Sequence, residues 1–112
     1  MIVEAKQHHD YLLAILKIKE ANLVEAERFK AEMIHLINQG SKKIIVSFEE
    51  VDYVDSSFLG ALVSSLKYAI SQGGDIAVAH LNKDILNLFQ LIRMDKVFKV
   101  YSLLPGESDG AE

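Results

Sequence analysis

A carboxylate and two hydroxyls follow one another at Asp55-Ser56-Ser57, and no other stretch of the chain is so well placed for a chemical event. Short side-chain oxygens such as those of Asp55 or Ser56 suit a helix N-cap, where they accept from N–H groups that lack a partner inside the helix. The same N–H groups, with the helix dipole, favour an anion at that end. The plain role of the three residues is therefore capping. The chemistry open to them is modification, because a phosphate on Ser56 or Ser57 would sit at a helix end already disposed to hold it.

Other chemistries lack their parts. There is no Gly-x-Ser-x-Gly elbow: Ser57 is followed by Phe58. His8, His9, His35 and His80 stand in no recognisable relation to Ser56. Metal binding needs several convergent ligands, and His8-His9 reads as a solvated turn. Neither Gly-x-x-x-x-Gly-Lys nor Gly-x-Gly-x-x-Gly occurs. The chain contains no cysteine, which removes thiolate catalysis, disulfides and cysteine metal sites together. The expectation is a binding protein with no catalytic residues, no metal and no cofactor.

The elements that must position Asp55-Ser56-Ser57 are a strand before and a helix after. Ile44 to Phe48 is a nearly unbroken apolar run, as in a central strand covered on both faces, and Glu49-Glu50 turns the chain out of it. From Ser56 to Gln72, residues Leu59, Leu62, Val63, Leu66 and Ile70 keep the rhythm of one buried helix face, and Gly73-Gly74 ends it. Phe58 falls off that stripe, at an exposed-looking helix start, where it either packs on a neighbouring loop or anchors a partner.

Upstream, Met1 to Gln7 and Tyr11 to Ile18 read as a hairpin around His8-His9-Asp10. Asn22 caps the next helix with Glu25 at capping-box spacing, and Ala26, Phe29, Met33, Leu36 and Ile37 form its core stripe up to Gly40. Downstream come a strand at Ile76 to Ala79, a helix capped by Asn82 with Ile85, Leu88, Phe89 and Ile92 inward, and a last strand from Val97 to Tyr101. Strand and helix alternate after an opening hairpin, which implies an α/β fold: a mixed central sheet of about five strands with helices packed on it. One domain is expected over residues 1–104, with 105–112 a flexible acidic tail.

The bulk numbers agree. The chain has 112 residues, half of them hydrophobic and a quarter charged, which suits a single folded domain. A net charge of −4 without a Lys/Arg cluster argues against nucleic-acid binding. No apolar run approaches the ~20 residues of a membrane span, and Glu4, Lys6 and Asp10 interrupt any signal-peptide core. A cytoplasmic protein is the expectation.

Tyr53-Val54-Asp55-Ser56-Ser57-Phe58-Leu59-Gly60, then Gly73-Gly74 and Asp95-Lys96-Val97-Phe98, resemble the STAS domain family, and within it the anti-sigma factor antagonists. The similarity runs from about the second strand to Tyr101. It implies a STAS-like fold and a function by partner switching. Unphosphorylated, such a protein binds an anti-sigma factor that is also a serine kinase of the histidine-kinase-like ATPase fold, and so frees the sigma factor. The kinase phosphorylates the first serine after the Asp, which matches Ser56, with Ser57 the second candidate; a PP2C-type phosphatase reverses it. The matching partner-binding residues are Asp55, Ser56, Ser57, Phe58 and Asn22. ATP and magnesium come with the kinase. Two places depart from the family: Gly is common where Phe58 stands, and the element Lys19-Glu20-Ala21-Asn22 replaces a Gly-Glu-Leu-Asp-like one, losing its Gly and its Asp. A STAS subunit of a larger assembly, such as a lipid-transport ATPase complex, is the alternative within the same fold. A small enzyme built on the Asp/Ser site would need a base that the sequence does not supply.

Overall fold

The computed structural model describes residues 1–106. Strands β1 (Val3–Gln7) and β2 (Leu12–Leu16) form the antiparallel hairpin, in the register Val3↔Leu16 to Gln7↔Leu12. A two-residue strand β3 (Glu20–Ala21) leads into α1 (Leu23–Asn38), followed by β4 (Lys43–Ser47), a second short strand β5 (Tyr53–Val54), and α2 (Ser56–Ser71). Then come β6 (Asp75–Ala79), α3 (Lys83–Leu91), a 3-10 turn at Met94–Lys96 and β7 (Val100–Tyr101). The main sheet has the order β1-β2-β4-β6-β7, with β1 antiparallel and the rest parallel. The mixed five-stranded sheet is the one expected; the parallel pair β3–β5 is not, because two residues are too few to carry a sequence period.

Period-two alternation divides the strands between two cores. Leu12, Ala14, Leu16, Ile44, Val46, Ile76 and Val78 share a cluster with Phe29 and Met33 of α1, Phe58 and Leu62 of α2, and Ile85 and Phe89 of α3. Leu13, Ile15, Ile45, Ala77 and Ala79 point the other way, and Tyr11 and Leu104 pack with them. Among the described residues, all three helices therefore lie on one sheet face. Each parallel crossover climbs a strand and descends a helix, so the N-termini of α1, α2 and α3 all stand at the C-terminal edge of the parallel strands. That edge is where open α/β sheets place their sites.

Glycines close the other edge. Gly73 takes φ +82 after the last turn of α2, and a Cβ at Gly74 would lie 2.4 Å from the Lys42 carbonyl oxygen. The outer edge of β1 is blunted by Glu32, which accepts from Ile2 N at 3.1 Å and Val3 N at 2.9 Å.

Three expectations need correction. Ile70 is 59 % exposed. The buried stripe of α2 is centred on Phe58, Leu62, Ser65 and Ala69, which leaves Ile70 on its flank in the final turn. Ile92 is likewise exposed, past the end of α3. The last strand is only Val100–Tyr101, because Val97 and Phe98 both donate to the Met94 carbonyl and finish the 3-10 turn. Of the expected tail, Pro105 and Gly106 are exposed and residues 107–112 lie outside the described residues, while Leu104, the last residue of the expected domain, is buried against the helix-free sheet face.

Candidate functional site

The first turn of α2 is built around Asp55. Its backbone is extended and its Oδ1 accepts from Phe58 N at 2.9 Å, so Asp55, not Ser56, is the cap. Ser56 is then the first helical residue. It is exposed, Ser57 is half-buried, and Gly60 one turn on is exposed. The Ser56 hydroxyl thus faces solvent, free of capping duty, with the N–H groups of the first turn beside it.

The approach to this turn is fastened from two sides. Asp52 N and Tyr53 N both donate to the Lys19 carbonyl, at 2.7 and 3.2 Å, and Asp55 N donates to the Ala21 carbonyl at 3.0 Å. Asn82, the cap of α3 through Ile85 N, also donates its amide to the carbonyls of Val51 and Asp52 at 3.2 and 3.3 Å. The starts of the three helices are therefore tied to one loop, residues 51–55.

Asn22 stands at the start of α1, where its Oδ1 accepts from Val24 N at 3.1 Å. The expected capping box with Glu25 does not form, because Asn22 Oδ1 accepts from Val24 N and not from Glu25 N, and Glu25 lies 3.6 Å from Arg28; separately, the Leu23 amide donates to Asp55 Oδ2 at 3.0 Å. One carboxylate thus serves two helix ends. Sequence spacing could not show this, since Asp55 and Leu23 meet only through the β3–β5 pairing.

Phe58 is the main correction at the site. It is fully buried, its ring 4.7 Å from that of Phe29, inside the helix-side core. It is neither on the surface nor packed on a loop, so it is unavailable as a direct partner anchor. The exposed apolar side chains here are others: Leu23 (67 %) and Val24 (77 %) on α1 and Tyr53 (55 %) on β5. Exposed acidic residues flank them, with Glu20 paired in register with Tyr53. Asp52 and Asp84 both line a shallow groove that Val54 and Ile85 also line.

A second polar cluster lies at the same sheet edge. His80, in the left-handed region at φ 61, has its Nδ1 2.9 Å from Ser47 Oγ and 3.5 Å from Glu49 Oε1. Ser47 is fully buried, which seals its hydroxyl from any substrate. His8 stacks on Tyr11 at 4.9 Å in an exposed turn. Among the described residues no three metal-ligating side chains converge, and no helix is long and apolar enough to cross a membrane. The sheet-edge charges include Lys17, whose pKa is raised by its hydrogen bond to Glu50 (2.5 Å) and then by the nearby carboxylates.

Comparison with known proteins places this geometry. The STAS domain family model matches residues 3–105. A protein from Thermotoga maritima, provisionally assigned as an anti-sigma factor antagonist, is 29 % identical over 96 residues, 85 % of each chain. The anti-sigma-B factor antagonist of Bacillus subtilis is 24 % identical over 81 residues, covering 72 % of this chain and 73 % of its own. A crystal structure from Thermotoga maritima, of a protein provisionally assigned as an anti-sigma factor antagonist, superposes with a TM-score of 0.80 at 27 % identity, over 93 % of this chain and 89 % of that one.

Proposed function

The chain belongs to the STAS domain family, and on that premise we propose that it is an anti-sigma factor antagonist switched by phosphorylation of Ser56. Unphosphorylated, it binds an anti-sigma factor and so releases the sigma factor. That anti-sigma factor doubles as a serine kinase of the histidine-kinase-like ATPase fold, and a PP2C-type phosphatase removes the phosphate. The protein works in the cytoplasm. The observation that carries this reading is the exposure of Ser56 one residue past its cap, where an incoming kinase can reach it. The half-burial of Ser57 supports the choice between the two hydroxyls.

Phosphorylation adds a charge of roughly −1.5 to −2 and three strong acceptors. Within the domain, the N-terminus of α2 offsets part of that charge, by about 0.3–1 kcal/mol for an exposed group. A partner lying over Leu23, Val24, Tyr53 and Ser56 has no such compensation. It meets a solvated dianion set among Asp52 and Asp55. A loss of about 3 kcal/mol at that contact lowers affinity more than a hundredfold. The exposed acidic rim also gives the partner's chemistry: an apolar patch bordered by Lys and Arg.

The test is incubation with the cognate kinase and ATP, read by intact mass and peptide mapping, followed by partner titration of Ser56→Asp and Ser56→Ala. A single phosphate on Ser56 is expected. Ser56→Asp weakens binding while Ser56→Ala binds constitutively, and both keep the wild-type melting temperature within a few degrees, because Asp55 does the capping. Partner binding by Ser56→Asp at wild-type strength overturns the switch.

A further inference from the structure

The Asp55 carboxylate is divided between two helices. Oδ1 holds Phe58 N of α2 at 2.9 Å and Oδ2 holds Leu23 N of α1 at 3.0 Å. The two oxygens belong to one rigid planar group, so a shift of either moves both. Next to it in sequence is the exposed Ser56, and beyond the Leu23 bond lies the exposed apolar pair Leu23–Val24. We propose that Asp55 is a relay: phosphorylation of Ser56 opens the Asp55–Leu23 hydrogen bond and frees the very start of α1, so that Leu23 loses its fixed position beside α2.

Two forces act in that direction. A dianion on the adjacent residue repels the carboxylate, and the repulsion is strong at contact range near a protein surface. The phosphate oxygens also seek the α2 first-turn N–H groups, among them the Phe58 amide that Oδ1 occupies. Displacing Oδ1 draws Oδ2 off Leu23. The rest of α1 stays in place, because Ala26, Phe29 and Met33 are buried and Asn22 separately holds Val24 N. Phosphorylation then acts on the partner surface twice, by charge at α2 and by loosening the apolar corner at α1. Coupling is reciprocal, so a partner that grips Leu23 and Val24 favours the intact fork.

This inference rests on Ser56 as the modified residue, and its test needs no kinase. Phosphoserine is installed at position 56 during translation, and amide hydrogen exchange at Leu23 is measured by NMR against the unmodified protein. Exchange at Leu23 is expected to accelerate about tenfold or more, the equivalent of losing a charge-assisted hydrogen bond. The core-strand amides of Ile44, Val46 and Val78 should be unchanged. A nearby anion repels hydroxide and by itself slows exchange, so acceleration reports the opened bond and not the field. In Asp55→Asn, Leu23 should exchange quickly without phosphate, and phosphoserine should add nothing. Asp55→Ser gives the same comparison should the Asn variant not fold.

Unchanged Leu23 exchange on phosphoserine incorporation overturns the relay, as does equal acceleration in wild type and in either Asp55 variant. A relay that works in the phosphoserine protein, alongside a kinase that leaves Ser56 untouched, would instead refute the proposed function.

Discussion

Phe58→Ala separates a core residue from a partner anchor, two roles that its place beside Ser56 invites one to confuse. The ring is fully buried and sits 4.7 Å from Phe29. Its removal deletes the transfer energy of a phenyl group and leaves a cavity between α1 and α2, about 3–5 kcal/mol by analogy with other core Phe→Ala changes. Against a usual total of about 5–15 kcal/mol, that is a large share of the stability. For a domain of this size it corresponds to a melting temperature lower by roughly 12–20 °C. The cap survives, since Asp55 binds the backbone N–H of residue 58 and not its side chain. Urea denaturation supplies the measure, with an unchanged m-value showing that the loss is in stability and not in the character of the unfolded state. A double-mutant cycle with Phe29→Ala should return a ring–ring coupling of about 0.5–1.5 kcal/mol. Below the new melting point, partner affinity should stay within a few-fold of wild type. A stability loss under ~1 kcal/mol together with a tenfold fall in affinity would refute this reasoning and restore Phe58 to the interface.

Gly74→Ala places a methyl 2.4 Å from the Lys42 carbonyl oxygen, a backbone atom that cannot swing away. The start of β6 must then shift against β4, and a loss of about 1–3 kcal/mol is expected in the same denaturation assay; wild-type stability would show that the sheet edge yields freely. For Lys17, the raised pKa comes first from the Glu50 hydrogen bond and then from Glu50, Glu4 and Glu49 charges. A group whose pKa is higher folded than unfolded contributes fully below its ordinary value, 10.5, and loses that contribution as pH rises through the raised value. Lys17→Met should therefore be less stable than wild type at neutral pH, with the difference beginning to shrink near pH 10.5 and vanishing only once pH passes the raised value. A difference that stays constant through that range would show that the ion pair is not its source.

Much of the fold is legible in the residues because its signals are local. The His8-His9-Asp10 turn, the Asn22, Asp55 and Asn82 caps and the run Ile44 to Phe48 each declare an element within a few positions, and each element is found. The order of the strands, β1-β2-β4-β6-β7, is carried by no local signal and is visible only in the structure. What escaped was set by contacts between distant residues. The β3–β5 pairing is two residues long, and the second bond of Asp55 crosses from residue 55 to residue 23. The burial of Phe58 is hidden in the sequence for a related reason. A helix face judged from Leu59, Leu62, Val63 and Leu66 takes no account of α1, and it is the Phe29 ring that turns the stripe toward residue 58. The buried Ser47 with His80 and Glu49 was equally invisible, since it depends on the register of β4 against β6.

The neighbourhood of Phe58 and Ser56 also explains why a charge change at this point can be read by a partner and not by the whole fold. A single residue, Ser57, separates the exposed Ser56 from the fully buried ring of Phe58. The ring locks the beginning of α2 to α1 from below, where phosphate cannot reach, while Asp55 holds the same two helices together from above, where it can. Interactions above and below therefore differ in kind: dispersion and burial are indifferent to ionisation, and a charge-assisted hydrogen bond is not. A Gly at position 58 would leave only the upper tie. With Phe there, the domain can give up the Asp55–Leu23 bond and keep its core, so the proposed phosphate on Ser56 would act only on the first turns of α1 and α2.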